Sequence, residues 1–253
     1  MTKRPGEVEL MAQSGKLLAQ VFGHLDRLSL VGMTTMQVND LVDRLIVQDL
    51  DARPASKGQY GYAYAINSSR NQVVCHGVPS ATEVLEDGDI VNFDITLEKN
   101  GWIADSSKTY FVGEVSFPAR RLVQATYDAM WKGIKAVRPG ARLGDVGHAI
   151  ERHAKKCGYS VVREYCGHGI GREMHEAPQV LHWGKPGTGV ELREGMVFTI
   201  EPMINQGQRA IRTGDDGWTI MTRDGKLSAQ FEHTVAVTRT GVRVLTLRPE
   251  ETR

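Results

Sequence analysis

The 253-residue chain has only three cysteines, Cys75, Cys157 and Cys166, an odd number without CxxC spacing. That pattern argues against a disulfide framework and a soft thiolate metal centre, and fits a reducing compartment. A charge excess is also missing, since 31 Lys plus Arg stand against 30 Asp plus Glu for a formal net charge of +1. Nothing in that balance marks a nucleic-acid footprint, and short basic runs such as Lys155-Lys156 read as solvated helix surface. No window approaches the roughly 18 uncharged apolar residues of a membrane span. The opening MTKRPGEVELMAQSG lacks an apolar signal core, so secretion is disfavoured too. Several catalytic signatures are absent. His175-Glu176 continues as Ala177-Pro178-Gln179 and not as HExxH, and there is neither a GxSxG elbow nor a complete GxxxxGK[ST] phosphate loop.

What is present begins with 41% hydrophobic residues, enough for a substantial core in one large domain or two fused halves. Apolar spacing predicts helices over about 8–28 and 34–45, the second opened by a capping box of Thr34 and Gln37. Breakers occupy 51–59, and strand-like runs follow at about 62–67, 72–75, 90–96 and 102–111. The second half repeats the order: helices at about 118–136 and 143–157, then strands near 160–165, 196–200, 209–212, 217–221, 229–237 and 242–247. Helices packed on an antiparallel sheet make an α+β protein. Landmarks repeat as well. GMTTMQV at 32–38 matches GARLGDV at 140–146 with an offset of 108, and LEDG at 85–88 matches LREG at 192–195 with an offset of 107. The expected organisation is a single catalytic domain, 1–253, with a pseudo-repeat of about 8–115 and 116–247.

Five side chains carry the chemical signal: Asp94, Asp105, His168, Glu201 and Glu232. IVNFDI, VFTIEP and QFEHTV each set an acid among apolar neighbours with no adjacent Lys or Arg. Buried carboxylates without partners are costly, and metal charge is the economical partner. Asn100-Gly101 suits a two-residue hairpin turn, which sets Lys99 opposite Trp102 and Asp94 opposite Ser107. Asp105 then lies two residues from that partner, on the same face as Asp94 and roughly 6 Å away at Cβ. The second offset also carries Asp94 onto Glu201. Four carboxylates offset two divalent ions, and metals about 3.5–4 Å apart hold a hydroxide between them and polarise a carbonyl. Three histidines stand in turn-like sequence. His168 in YCGHGIG is flanked by glycines that permit unusual backbone angles, while His76 and His175 are candidates to steady an oxyanion or assist a leaving nitrogen.

Taken together, VVCHGVP, DGDIVNFDI, GWIADSSKTYFVG, YCGHGIG, MHEAPQV, FTIEPM and QFEHTVAV resemble the type I methionine aminopeptidases, from about residue 7 to residue 247. The resemblance implies the pita-bread fold, two pseudo-symmetric α+β halves around an antiparallel sheet. It implies two divalent ions, Co(II), Mn(II), Fe(II) or Zn(II), with Asp94 binding one, Asp105 and Glu232 bridging both, and His168 and Glu201 completing the other shell. The implied reaction removes an initiator methionine when the next residue is small. An activated metal-bound water attacks the Met-X carbonyl and Glu201 handles the proton. His175 would steady the tetrahedral oxygen, His76 would meet the scissile nitrogen, and Tyr62, Met174, Met203 and Trp218 would surround the methionine side chain. The implied partners are nascent polypeptide N-termini, with transient ribosome association and neither membrane nor specific nucleic acid. The protein would be a cytoplasmic monomer. Asn71, Val73 and Ser228 match a peripheral Na or K ion site of some relatives.

Three positions depart from the family pattern. Asn67 stands where a small residue such as cysteine is frequent, Gln59 where Tyr or His is usual, and Met174 where an aromatic is frequent. They leave the selectivity of the pocket open while sparing the ligand set. An Xaa-Pro dipeptidase or broader aminopeptidase on the same metal core is the enzymatic alternative; a fold relative that only binds proteins or nucleic acid is the non-enzymatic one.

Overall fold

Apolar residues spaced three and four apart build the four long helices of the computed structural model, which describes residues 2–251. In α1 (Pro5–Leu25) they bury Met11, Leu18, Val21, Phe22 and Leu25 along one stripe, and Pro at the first turn forgoes an N–H that has no helical partner there. α2 (Thr35–Arg44) starts at the expected capping box: Gln37 N–H donates to Thr34 Oγ1 at 3.2 Å, and Thr34 N–H to Gln37 Oε1 at 2.8 Å. α3 (Phe117–Ala136) stops short of Pro139-Gly140, and α4 (Leu143–Lys156) follows. The first half carries β1 (Arg53–Pro54), β2 (Ile66–Arg70), β3 (Val73–Cys75), β4 (Ile90–Lys99) and β5 (Trp102–Phe111). The second carries β6 (Ser160–Val161), β7 (Gly167–Gly169), β8 (Glu176–Val180), β9 (Val197–Ile200) and β10 (Met203–Asn205). It continues with β11 (Ile211–Thr213), β12 (Ile220–Thr222), β13 (Ser228–Gln230), β14 (Glu232–Val237) and β15 (Val242–Val244).

Among the described residues, nine strands form one antiparallel sheet in the order β1-β4-β5-β14-β9-β7-β8, with β2 on β4 and β15 on β14. Two smaller sheets, β13-β10-β6 and β11-β12-β3, complete the architecture. Strand alternation gives the large sheet two chemically different faces. Phe93, Ile95, Leu97 and Ala104 pack against Leu18, Phe22, Val38 and Val42 of α1 and α2. In the other half, Phe198, Ile200 and Val235 pack against Leu122, Met130, Val146 and Ile150 of α3 and α4. The opposite face of β4 and β5 presents Asn92, Asp94, Thr96, Asp105, Ser107 and Thr109, paired across the hairpin as 92 with 109, 94 with 107 and 96 with 105. The Asn100-Gly101 turn has positive φ at both residues, 55° and 77°, as a two-residue hairpin connection requires.

Several expected strands are shorter than the apolar runs that suggested them. A helical turn at Gln59–Gly61 precedes the segment expected as a strand from 62, and that segment, although extended at Tyr62, joins the sheet only at Ile66. The run 160–165 pairs only through Ser160–Val161, because its neighbour β10 matches those two residues. The run 229–237 divides at Phe231: β13 pairs with β10 in a small sheet, while β14 enters the large one. Strands β7, β8 and β10 carry too little periodic pattern to be read from the chain. β7 and β8 pair with each other across a short connection, while β10 pairs with the more distant β13 and β6.

The repeated landmarks occupy repeated hydrogen bonds. Gly32 N–H donates to Leu85 C=O and Leu85 N–H to Met33 C=O; Gly140 N–H donates to Leu192 C=O and Leu192 N–H to Ala141 C=O. Isolated bridges Thr34–Val84 and Arg142–Glu191 sit at the same offsets. In each half a glycine-led turn ties the start of the second helix to the strand that leads toward a site carboxylate.

Candidate metal centre

Three strands deliver the central acids to one place. β4 and β5 present Asp94 and Asp105 on their polar face in the register the hairpin demands, and β14 pairs with β5 so that Glu232 lies opposite Ser107. Thr234 Oγ1 locks that pairing by donating to the Asp105 carbonyl at 2.8 Å and accepting from its N–H at 3.1 Å. Glu201 follows the end of β9. Thr199 Oγ1 donates to Glu201 Oε1 at 2.7 Å, Gln230 Nε2 donates to Oε2 at 3.3 Å, and the Glu201 N–H donates to His182 Nε2 at 3.1 Å.

His168 arrives on β7, whose glycines serve a purpose other than the one expected. Neither Gly167 nor Gly169 has a positive φ. A Cβ at Gly167 would collide with the Thr199 carbonyl, and one at Gly169 with the Ala177 carbonyl, so glycine here lets β7 lie close between β9 and β8. His168 Nδ1 lies 3.0 Å from the Gly169 carbonyl, which fixes the tautomer with the proton on that atom. The lone pair of Nε2 then faces Glu201 Oε1 at 3.5 Å and Asp105 Oδ2 at 3.8 Å. Burial, with His175 alongside, lowers the His168 pKa to about 4, so the ring is neutral and free to ligate.

Asp105, His168 and Glu232 each offer a ligand atom such that all lie within 4.8 Å of one another. Asp94 borders this group from β4 and Glu201 from the other side. All five line a cavity of about 540 Å³, together with the candidate catalytic and pocket residues His76, His175, Tyr62, Met174, Met203 and Trp218; Asn71, Val73 and Ser228 are not among its lining residues. No Lys or Arg is among the lining residues. Burial raises Asp94 to about 6 and Glu201 to about 8, and drives Asp105 and Glu232 well above the ordinary carboxylate range, with neighbouring acids adding to the rise. Asp105 Oδ1 and Glu232 Oε1 are buried without hydrogen-bond partners. Orphaned carboxylate oxygens facing a neutral imidazole, with no lining cation, fit divalent metal ions.

The lining also includes an aromatic and thioether group. Tyr62 stacks on Trp218 with centroids 5.3 Å apart, Met174 and Met203 are buried, and Tyr62 Oη donates to the Ile66 carbonyl at 2.7 Å. His76 adopts a left-handed backbone, φ 58°, and its ring meets Tyr165 edge-on at 5.2 Å. His175 lies 4.4 Å from His168 at the exposed end of the cavity. Burial lowers both pKa values, that of His76 to about 4. Sequence reasoning missed Thr199, Gln230, His182 and Tyr165. Thr199 and Gln230 had a signal, since two residues before Glu201 and Glu232 in strand-like sequence means the same face.

The family model for "Metallopeptidase family M24" matches residues 9–239. The chain belongs to metallopeptidase family M24. Among similar proteins, "Methionine aminopeptidase B" of Synechocystis is 48% identical over 95% of this chain and 89% of its own length. "Methionine aminopeptidase" of Escherichia coli K12 is 44% identical over 99% of this chain and 95% of its own. The crystal structure of methionine aminopeptidase from Rickettsia prowazekii superposes with a TM-score of 0.95 at 46% identity, covering 98% of this chain and 99% of that one. This M24 protein therefore has the α+β pita-bread fold, and divalent metal use comes with the family. Within the described residues, no helix is long and apolar enough to cross a membrane.

Proposed function

We propose that this M24 metallopeptidase is a type I methionine aminopeptidase that removes the N-terminal methionine from nascent polypeptides, preferring a small second residue. One observation carries the reading: eleven residues separated by up to 170 positions line one cavity, acids and a neutral imidazole at one side, aromatics and methionines at the other. Asp94, Asp105, His168, Glu201 and Glu232 would hold two divalent ions, Mn(II), Fe(II), Co(II) or Zn(II). When bound, the metal supplies Lewis acidity and a nucleophilic water at neutral pH.

The chain's own groups do the rest. Glu201, poised by Thr199 and Gln230, accepts the proton from the attacking water and returns it to the departing nitrogen. His175 donates a hydrogen bond to the oxygen of the tetrahedral intermediate. His76 meets the scissile nitrogen. The stacked pair Tyr62 and Trp218, with Met174 and Met203, receives the methionine side chain, since a polarisable thioether suits aromatic faces. Asn67 lies directly across the β2–β4 ladder from Asp94 and lines the same cavity. The same reading makes the protein one catalytic unit of two related halves, about 8–115 and 116–247, supported by their repeated hydrogen bonds. It also makes it a cytoplasmic monomer with transient ribosome association and a peripheral Na or K ion near Asn71, Val73 and Ser228.

Metal-loaded protein is expected to release methionine from Met-Ala-Ser faster than it turns over Xaa-Pro peptides. Faster Xaa-Pro cleavage would reassign it to the dipeptidase branch, and no hydrolysis with Mn(II), Fe(II) or Co(II) would make it a binding protein.

A further inference from the structure

Behind the sheet that carries the acids lies a buried charged cluster that plays no part in the reaction above. Side chains alternate, so Ser106 and His233 point away from the cavity while Asp105, Ser107 and Glu232 point toward it. The chain leaves β15, passes under these strands and brings Arg248 and Glu251 against their reverse side. Arg248 is 1% exposed, and its guanidinium sits over the ring of Phe22 at 5.3 Å. Nη2 donates to Glu251 Oε1 at 2.9 Å, and the Arg248 N–H donates to Glu251 Oε2 at 3.0 Å. The other arm of the fork leaves the segment altogether. Nη1 donates to Ser106 Oγ at 3.1 Å and reaches the Ser107 carbonyl at 3.4 Å. Ser106 Oγ in turn donates to the Glu232 carbonyl at 2.7 Å.

We propose that Arg248 is a positioning residue for the metal centre, holding from behind the two strands whose front faces carry Asp105 and Glu232. The proposal rests on the metal site argued above. A buried ion pair that only anchored the C-terminal segment would be replaceable by apolar side chains without loss. Attachment does not account for the arm that spans Ser106 and Ser107 and reaches Glu232 through one hydroxyl. That arm clamps β5 to β14 at the step where their register sets the separation of the two acids. Partners one layer behind metal ligands typically tune affinity by about 10- to 100-fold.

The test is calorimetric titration of Mn(II) into the chelator-stripped full chain, with thermal melting of the metal-free forms. Ser106→Ala cuts the relay while leaving the Arg248–Glu251 pair intact, and is expected to weaken Mn(II) binding several-fold with little change in Tm. Arg248→Met should weaken it about 10- to 100-fold and lower Tm by leaving the buried Glu251 carboxylate with His233 but without its cationic partner. The double change Arg248→Met with Glu251→Gln should recover Tm but not affinity. Recovery of affinity together with Tm, or unchanged Mn(II) binding in Ser106→Ala and Arg248→Met, would overturn the proposal. Absence of Mn(II) binding by the unmodified chain would instead overturn the metal site on which it rests.

Discussion

Single side chains separate holding metal from moving protons. His175 touches the ring of His168 but lies at the exposed end of the cavity, so His175→Ala is expected to lower kcat by at least about tenfold while leaving metal content unchanged. Asp105→Ala removes an oxygen from the tight ligand group and should lose tightly bound metal; bound-metal stoichiometry measured beside turnover distinguishes the two roles. The pH dependence of stability follows from the same residues. Burial and neighbouring acids raise Glu201 to about 8 and keep Asp105 and Glu232 well up, so the metal-free folded state binds more protons than the unfolded chain. A raised carboxylate contributes stability that is present at low pH and lost as pH rises toward its folded pKa. His76, His168, His182 and His233, all with depressed pKa values, work in the other direction, but only below about pH 6.5. Between pH 6.5 and 8 the acids therefore dominate. Melting of EDTA-treated protein should show Tm falling over that window, and saturating Mn(II) should remove the fall. A flat or rising Tm in EDTA would mean that the acids are already neutralised by the protein.

At the scale of elements, close approach of backbones matters more than propensity. The hairpin β4–β5 has the register read from Asn100-Gly101 because a turn and a strand period are local rules. The capping box of α2 is local too, and Thr34→Ala is expected to cost about 1 kcal/mol of stability. β7 is different: it has three residues, and its place is set by two glycines that let it approach β9 and β8. A methyl group at Gly167 would push His168 away from Asp105. Gly167→Ala should accordingly weaken Mn(II) binding by an order of magnitude or more, and normal affinity in that variant would show that β7 tolerates the displacement.

For the whole molecule, the five proposed ligands come from both halves, Asp94 and Asp105 from the first and His168, Glu201 and Glu232 from the second. Metal should bind only when the halves are assembled, which couples loading to global stability. A ligand at about 100 times its Kd stabilises by about 2.7 kcal/mol, or about 5–10 °C in Tm for a chain of this size. Differential scanning calorimetry with and without Mn(II) should show that shift, with a single transition in both states; two separate transitions, only one of them metal-sensitive, would place the site within one half.

The sequence alone determined whatever depends on near neighbours along the chain. Helix stripes, the capping box, the hairpin register and the shared face of Asp94 and Asp105 follow from periods of 3.6 and 2 and from turn chemistry. Apolar neighbours also singled out the acids Glu201 and Glu232, and flanking glycines singled out His168, although no local period links them to the hairpin; the resemblance to a known family supplied their separate roles and the pocket residues. Tertiary structure decided which strands meet. It divided the run 229–237 between two sheets at Phe231, shortened 160–165 to a two-residue pairing, and gave the glycines beside His168 a packing role in place of a conformational one. It also placed Thr199, Gln230 and His182 around Glu201, and Arg248 behind Glu232. Apart from Thr199, those contacts join residues well separated along the chain, and their energies depend on distance in space, which local pattern does not encode.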